Sequence, residues 1–243
     1  MVELSRKFKL PSFIEPLAED GILLGSNIML IGLPGNGKTI FCENFAKSCF
    51  ENDIKCLYVT LDKTTDDIKY NFRSGGIDLD DEKNNERVIF VDGHAWLIGK
   101  SQTKYSISSL SNLTELNFNI FNASSELPTP FLFVLNSLSP LTLYNPEGFV
   151  LKFLQLLFAR LKALGCIGIF VAQDGVHKPE FYNTLEYLVD GIFDMKIGEH
   201  KGAIRRYFRI RSLSSVSHDT RWVQFDIKPN RSIELHFGSE EEE

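Results

Sequence analysis

The chain has 243 residues, 43% hydrophobic and 24% charged, which is ordinary for a soluble globular protein and long enough for one large α/β domain. No stretch reaches the ~18 apolar residues of a membrane span, and Met1–Leu10 lacks the apolar core of a secretory signal, so a cytoplasmic protein is expected. The formal net charge is −6, of which four charges are Glu240–Glu243; without them the body stands at −2.

The expected organisation is a single domain over residues 1–238 with a disordered acidic tail at 239–243. Cys42, Cys49, Cys56 and Cys166 form no C-x-x-C pair, so zinc has no support and buried free thiols are expected.

In chain order, Asn27–Ile31 is an apolar run that reads as a buried parallel strand. It leads into Gly32-Leu33-Pro34-Gly35-Asn36-Gly37-Lys38-Thr39, which fits G-x-x-x-x-G-K-[ST] at every fixed position. In this motif the glycines let backbone N–H groups cradle phosphate oxygens. Lys38 reaches the β- and γ-phosphates, and the Thr39 hydroxyl joins the shell of a Mg²⁺ ion. Lys38–Phe50 then reads as a helix with Phe41, Phe45 and Cys49 on one face. Strand, glycine loop and helix are the context the motif requires.

Cys56–Leu61 reads as a second strand, Thr65–Ser74 as a charged helix and Val88–Asp92 as a third strand. Within the Ser- and Asn-rich stretch 101–125, Leu113, Leu116, Ile120 and Phe121 recur at helical spacing, with Ser111 as the expected cap. Phe131–Asn136 is a fourth strand. Asn145-Pro146-Glu147 opens a helix that stops at Gly165, and Cys166–Ala172 is a fifth strand. Ile192–Ile197, Ile204–Leu213, Arg221–Ile227 and Ile233–Phe237 read as an antiparallel meander extending the sheet. The alternation before them implies a mostly parallel sheet flanked by helices.

Leu57-Tyr58-Val59-Thr60-Leu61-Asp62 with Asp67-Ile68, Phe133-Val134-Leu135-Asn136-Ser137-Leu138-Ser139, Val171-Ala172-Gln173-Asp174 and the strands ending at Ser217-His218 carry a resemblance. Together with the phosphate loop they resemble the KaiC/RadA branch of the RecA superfamily, most closely the single-domain KaiC-like ATPases of archaea. The resemblance spans about Ile14 to Phe237. It implies a RecA-like P-loop core, ATP with Mg²⁺ as ligand, and a homo-oligomer or other protein partner with nucleotide between subunits. It also places Gln173 as a nucleotide-sensing residue at the end of the fifth strand; an ordinary polar strand terminus is the other reading.

Three positions depart from that pattern. The family's catalytic glutamate position holds Asp62, which is one methylene shorter, roughly 1.5 Å of reach. The Walker B acid is Asn136, which can hydrogen-bond to Thr39 but brings no charge to Mg²⁺; Asp92 or Asp174, at neighbouring strand ends, is the alternative acid. The Lys-x-Arg pair that reaches a neighbour's nucleotide is replaced by Ser212 and Ser214, with His218 retained. All three weaken hydrolysis while the phosphate loop stays intact. The expectation is therefore an ATP- or ADP-binding regulatory or assembly module with weak or absent turnover, the alternative being an active ATPase serving as a RadA-like recombination accessory.

Residues 137–148 contain no Lys or Arg, and 174–184 contain only Lys178, too little for strong contact with a nucleic-acid backbone. From Lys196 to Arg231 there are nine Lys/Arg against three acids. Alternation puts Arg205, Tyr207, Arg209 and Arg211 on one strand face, where they could track a phosphate backbone. The acidic net charge favours instead a solvated face or one that meets an acidic neighbour.

Overall fold

A computed structural model describes residues 7–97, 99, 103–200 and 202–237. The acidic tail lies outside the described residues. Two short strands, β1 (Lys7–Phe8) and β2 (Ile22–Leu23), pair antiparallel as a separate ribbon. There follow β3 (Asn27–Gly32), α1 (Lys38–Glu51), β4 (Cys56–Thr60), α2 (Thr65–Ser74), β5 (Val88–Asp92), β6 (Tyr105–Ser106), α3 (Leu113–Ser125), β7 (Leu132–Asn136) and α4 (Leu141–Tyr144). The chain continues with α5 (Glu147–Ala163), β8 (Ile167–Gln173), α6 (Pro179–Leu188), β9 (Gly191–His200), β10 (Ala203–Leu213), β11 (Val223–Ile227) and β12 (Ile233–His236). The ten strands from β3 on form one sheet in the order β12-β11-β10-β9-β3-β8-β7-β4-β5-β6.

Seven of these strands, from β9 to β6 in that order, are mutually parallel, and every residue of β3, β4 and β7 is buried. Their near-continuous apolar runs are what a sheet covered on both faces demands. One face meets α1 and α2: Phe41 stacks on Phe208 with ring centroids 5.2 Å apart and meets Phe193 edge-on at 6.0 Å. The other face meets α3, α5 and α6, with Phe158 edge-on to Phe170 at 4.5 Å.

β9, β10, β11 and β12 pair antiparallel in succession, the meander read in the sequence. The sequence reading did not show how the meander joins the sheet: β9 also pairs parallel with β3, Gly191 opposite Ile28 and Met195 opposite Gly32. The reason is α6, a helix that the sequence reading passed over, which returns the chain across the sheet as a crossover must. Its signals are Pro179 in the first turn and Phe181 and Leu185 buried one turn apart. Two smaller expectations also change. Asn112, not Ser111, caps α3, its side chain accepting from the Glu115 N–H at 3.0 Å. Phe121 lies outside the core, about half exposed, with the Arg160 guanidinium 3.7 Å from its ring centre. The four cysteines are free and buried as expected.

Candidate functional site

Residues 32–39 form the turn between β3 and α1. Gly37 holds a φ of +98°, which a side chain would strain, and a Cβ on Gly32 would stand 2.4 Å from the Met195 carbonyl oxygen. The loop crest at Leu33, Pro34 and Gly35 is exposed, and no side chain caps the start of α1, so its free N–H groups face outward. Asn36 is fully buried and ties the loop to β9, its Nδ2 donating to the Met195 carbonyl at 2.7 Å.

Lys38 is buried and donates to the carbonyls of Gly32 (2.6 Å) and Leu33 (2.8 Å) and to Gln173 Oε1 (2.9 Å). Burial pushes its pKa down to about 8, although the fields of Asp174 and Asp62 act in the opposite direction. The lysine and Gln173, which are 135 residues apart in sequence, are brought together because β3 and β8 are neighbours with Gly32 opposite Gln173.

Asn136, at the end of β7, is also buried. Its Nδ2 donates to the Thr39 hydroxyl oxygen at 3.2 Å and to the Tyr58 hydroxyl at 2.8 Å. In this amide orientation the arrangement inverts what a carboxylate would do. An acid accepts the Thr39 proton and leaves the hydroxyl lone pairs for a metal; the Asn136 amide points a hydrogen at one of them. The donor set fits phosphate well and fits a tightly held Mg²⁺ poorly.

Asp62 lies just beyond β4, exposed to solvent, with desolvation still raising its carboxyl pKa against the fields of Lys63, His94 and Lys38. Asp92, level with Thr60 and Asn136 on the neighbouring strand, is engaged otherwise: its Oδ1 accepts from the N–H groups of His94 (2.9 Å) and Ala95 (2.8 Å) and so caps a short 3-10 turn. Asp174 follows Gln173, and its own N–H donates to the Gly32 carbonyl at 3.1 Å.

Ser212 pairs with Ile192 near the start of β9, and the Ser214 N–H donates to the Asp190 carbonyl at 2.8 Å. Both therefore sit toward the end of the sheet opposite the phosphate loop, about 10 and about 17 Å along the strands from Gly32. The basic strand is less free than its sequence implies. Arg209 and Arg211 both pair with Asp194, at 2.9 and 3.0 Å, and Arg211 also with Glu186 at 2.9 Å.

A hydrogen-bond relay that the sequence reading did not find runs on from Gln173. The Gln173 N–H donates to Ser139 Oγ (3.0 Å), which meets His177 Nε2 at 2.8 Å. The other ring nitrogen, Nδ1, meets Thr142 Oγ1 at 3.3 Å, and that hydroxyl gives its own proton to the Ser139 carbonyl at 2.9 Å. The proton positions follow: Nδ1 carries the hydrogen, and Nε2 accepts from Ser139. Tyr182 closes the far side, donating to the Gln173 carbonyl while accepting from the N–H groups of Val176 and His177. Desolvation lowers the His177 pKa, so the neutral ring is favoured.

The model of the KaiC ATPase family matches residues 10–240. Among proteins of similar sequence are the UPF0273 protein PH0284 of Pyrococcus horikoshii, 27% identical over 217 residues (88% of this chain, 87% of that one), and a UPF0273 protein of Thermotoga maritima, 28% identical over 205 residues (83% and 84%). The DNA repair protein RadA of Rickettsia bellii is 37% identical over 65 residues, 27% of this chain and 14% of that protein. The KaiC-like protein PH0186 of Pyrococcus horikoshii has the same fold, with a TM-score of 0.76, 22% identity, and 95% and 98% of the two chains covered. With this fold, and with the family model covering nearly the whole chain, the protein belongs to the KaiC family of ATPases and is a nucleotide-binding member of the RecA-like group.

Proposed function

We propose that the protein binds ATP at Gly32–Thr39 and uses its occupancy as a regulatory or assembly signal, with slow or absent hydrolysis. Lys38 and the loop N–H groups hold the phosphates, Thr39 and Asn136 form a weak Mg²⁺ position, and Gln173 reports whether a γ-phosphate has drawn Lys38 away. The observation that carries this reading is the Asn136 amide donating to Thr39, where turnover needs an acceptor. A short Asp62 at the position of the catalytic glutamate adds to it, since a misplacement of about 1 Å can cost about 10²-fold in rate. The distant Ser212 and Ser214 could act only on a neighbouring subunit, and they bring no charge there.

The test compares phosphate release from the wild type, Lys38→Ala and Asn136→Asp, alongside calorimetric binding of ATP with and without Mg²⁺. Wild-type release close to the Lys38→Ala background, increased release from Asn136→Asp, and ATP binding that depends little on Mg²⁺ are expected. Robust wild-type turnover abolished by Lys38→Ala would overturn the reading. The local likeness to RadA supports a second reading, a recombination accessory. It requires single-strand DNA binding that falls when Arg205 and Arg209 are changed to Glu. The ion pairs of Arg209 and Arg211 count against it.

A further inference from the structure

A cavity of 540 Å³ opens between α6 and the β9–β10 hairpin, behind the phosphate loop. It is not the nucleotide cleft. Phe193 and Phe208 point to the α1 face of the sheet, where they pack on Phe41. Alternation sends Asp194, Lys196, Arg209 and Arg211 to the opposite face, toward α6. The volume suits a small ligand.

The walls are chemically polarised. On the sheet side Lys196 Nζ lies 4.3 Å from the Trp222 ring centre and 5.3 Å from that of Tyr207, and the Arg209 guanidinium lies 4.4 Å from Trp222. The indole thus holds two cations in place. Arg209 is balanced by Asp194, whereas the Lys196 ammonium has no carboxylate partner among the described residues. On the other side, at the end of β8 and on α6, the Asp174 carboxylate and the Asn183 amide make no side-chain hydrogen bond or ion pair among the described residues.

We propose that this cavity is a second ligand site, built for a small dipolar anion: a phosphate or carboxylate group against Lys196 and Arg209, and an ammonium group against Asp174 and Asn183. The site abuts the phosphate loop, since Gly32 forms part of its wall and the Asp174 N–H is bonded to the Gly32 carbonyl. Asp174 also places negative charge near Lys38, which opposes an incoming phosphate. A ligand ammonium on Asp174 cancels that charge, so occupancy raises ATP affinity, and ATP raises affinity for the ligand by the same factor. This coupling rests on the ATP reading above; the cavity itself does not.

The chain has two tryptophans, so Trp96→Phe leaves Trp222 as the only indole reporter. O-Phospho-L-serine, which carries both charges, is the probe, and 3-phosphoglycerate, which lacks the ammonium, is its control. Expected is a saturable change in Trp222 emission with phosphoserine, at least tenfold weaker binding of phosphoglycerate, and at least tenfold weaker phosphoserine binding in Lys196→Gln and in Asp174→Asn. Calorimetry on the unsubstituted protein repeats the comparison without relying on the Trp96 variant. A response that follows ionic strength alone, equal binding of the two probes, or an unchanged affinity in Lys196→Gln overturns the site. Loss of the response in Lys38→Ala also overturns it, because the probe would then sit in the phosphate loop. Failure of ATP to bind leaves the fluorescence result intact and removes only the coupling.

Discussion

Lys38 illustrates how one side chain records the state of the site. Its ammonium is buried and satisfied by three oxygens, yet its pKa stands at about 8 because burial disfavours the charge. The folded state therefore holds this proton less tightly than the unfolded chain. The lysine's contribution to stability is greatest above 10.5 and is lost as pH falls through about 8, so at pH 7 the charge opposes folding. Lys38→Met should accordingly raise the melting temperature of the nucleotide-free protein at pH 7, with the gain shrinking as pH rises from 8 toward 10.5; thermal denaturation across that range checks it. The motif around Lys38 was legible in the sequence because its spacing is fixed by phosphate geometry. The second partner of Asn136 was not, because Tyr58 reads simply as a buried strand residue and meets the amide only through the pairing of β4 with β7.

At the level of elements, parallel strands and long helices were visible from apolar runs and from end signals such as Pro146 and Gly165, whereas the Thr64–Asp67 capping box that opens α2 was found only in the structure. The direction of β9 was not visible either, because period-two alternation is the same in parallel and antiparallel strands, and only the intervening α6 decides between them. The C-terminal hairpin is fastened to α1 by a contact with no sequence signature. Glu43, almost fully buried, accepts from Arg231 Nη2 at 2.7 Å and Nε at 3.2 Å, while Asn44 donates to the Arg231 carbonyl at 2.8 Å. Arg231→Ala would strand a buried carboxylate, and a loss of about 3 kcal/mol in urea unfolding is expected. Combining it with Glu43→Gln should recover part of that loss, since no buried charge is then left uncompensated.

Across the whole molecule the relay from Lys38 through Gln173, Ser139 and His177 to Thr142 joins the loops after β7 and β8 to the phosphate loop. Its central histidine must stay neutral to accept from Ser139. Because its folded pKa is lowered, the stability it contributes is full above 6.5 and is lost as pH falls through the lower folded value. The melting temperatures of wild type and His177→Gln should therefore differ most at pH 7 and converge as pH falls below 6.5. The sequence showed Ser139 within a strand-end motif and gave no reason to single out His177, since 38 residues separate them and the link depends on β7 and β8 lying side by side. The basic strand shows the reverse case: its charges were plain in the sequence, whereas Asp194 and Glu186, which neutralise two of them, come from β9 and α6.

The order of strands also limits how copies of this chain can meet. The phosphate loop springs from β3, deep within the sheet, and the two outer strands are β6, two residues long, and β12, four residues long. β12 carries Glu234, ion-paired with Lys228, and His236, hydrogen-bonded to Asp226, both on the same hairpin. So short and charged a border gives an incoming strand little backbone to grip. Sheet-to-sheet extension is thereby discouraged at both rims, which leaves helices, loops and the ends of the strands, beside the phosphate loop, as the surfaces open to a second copy.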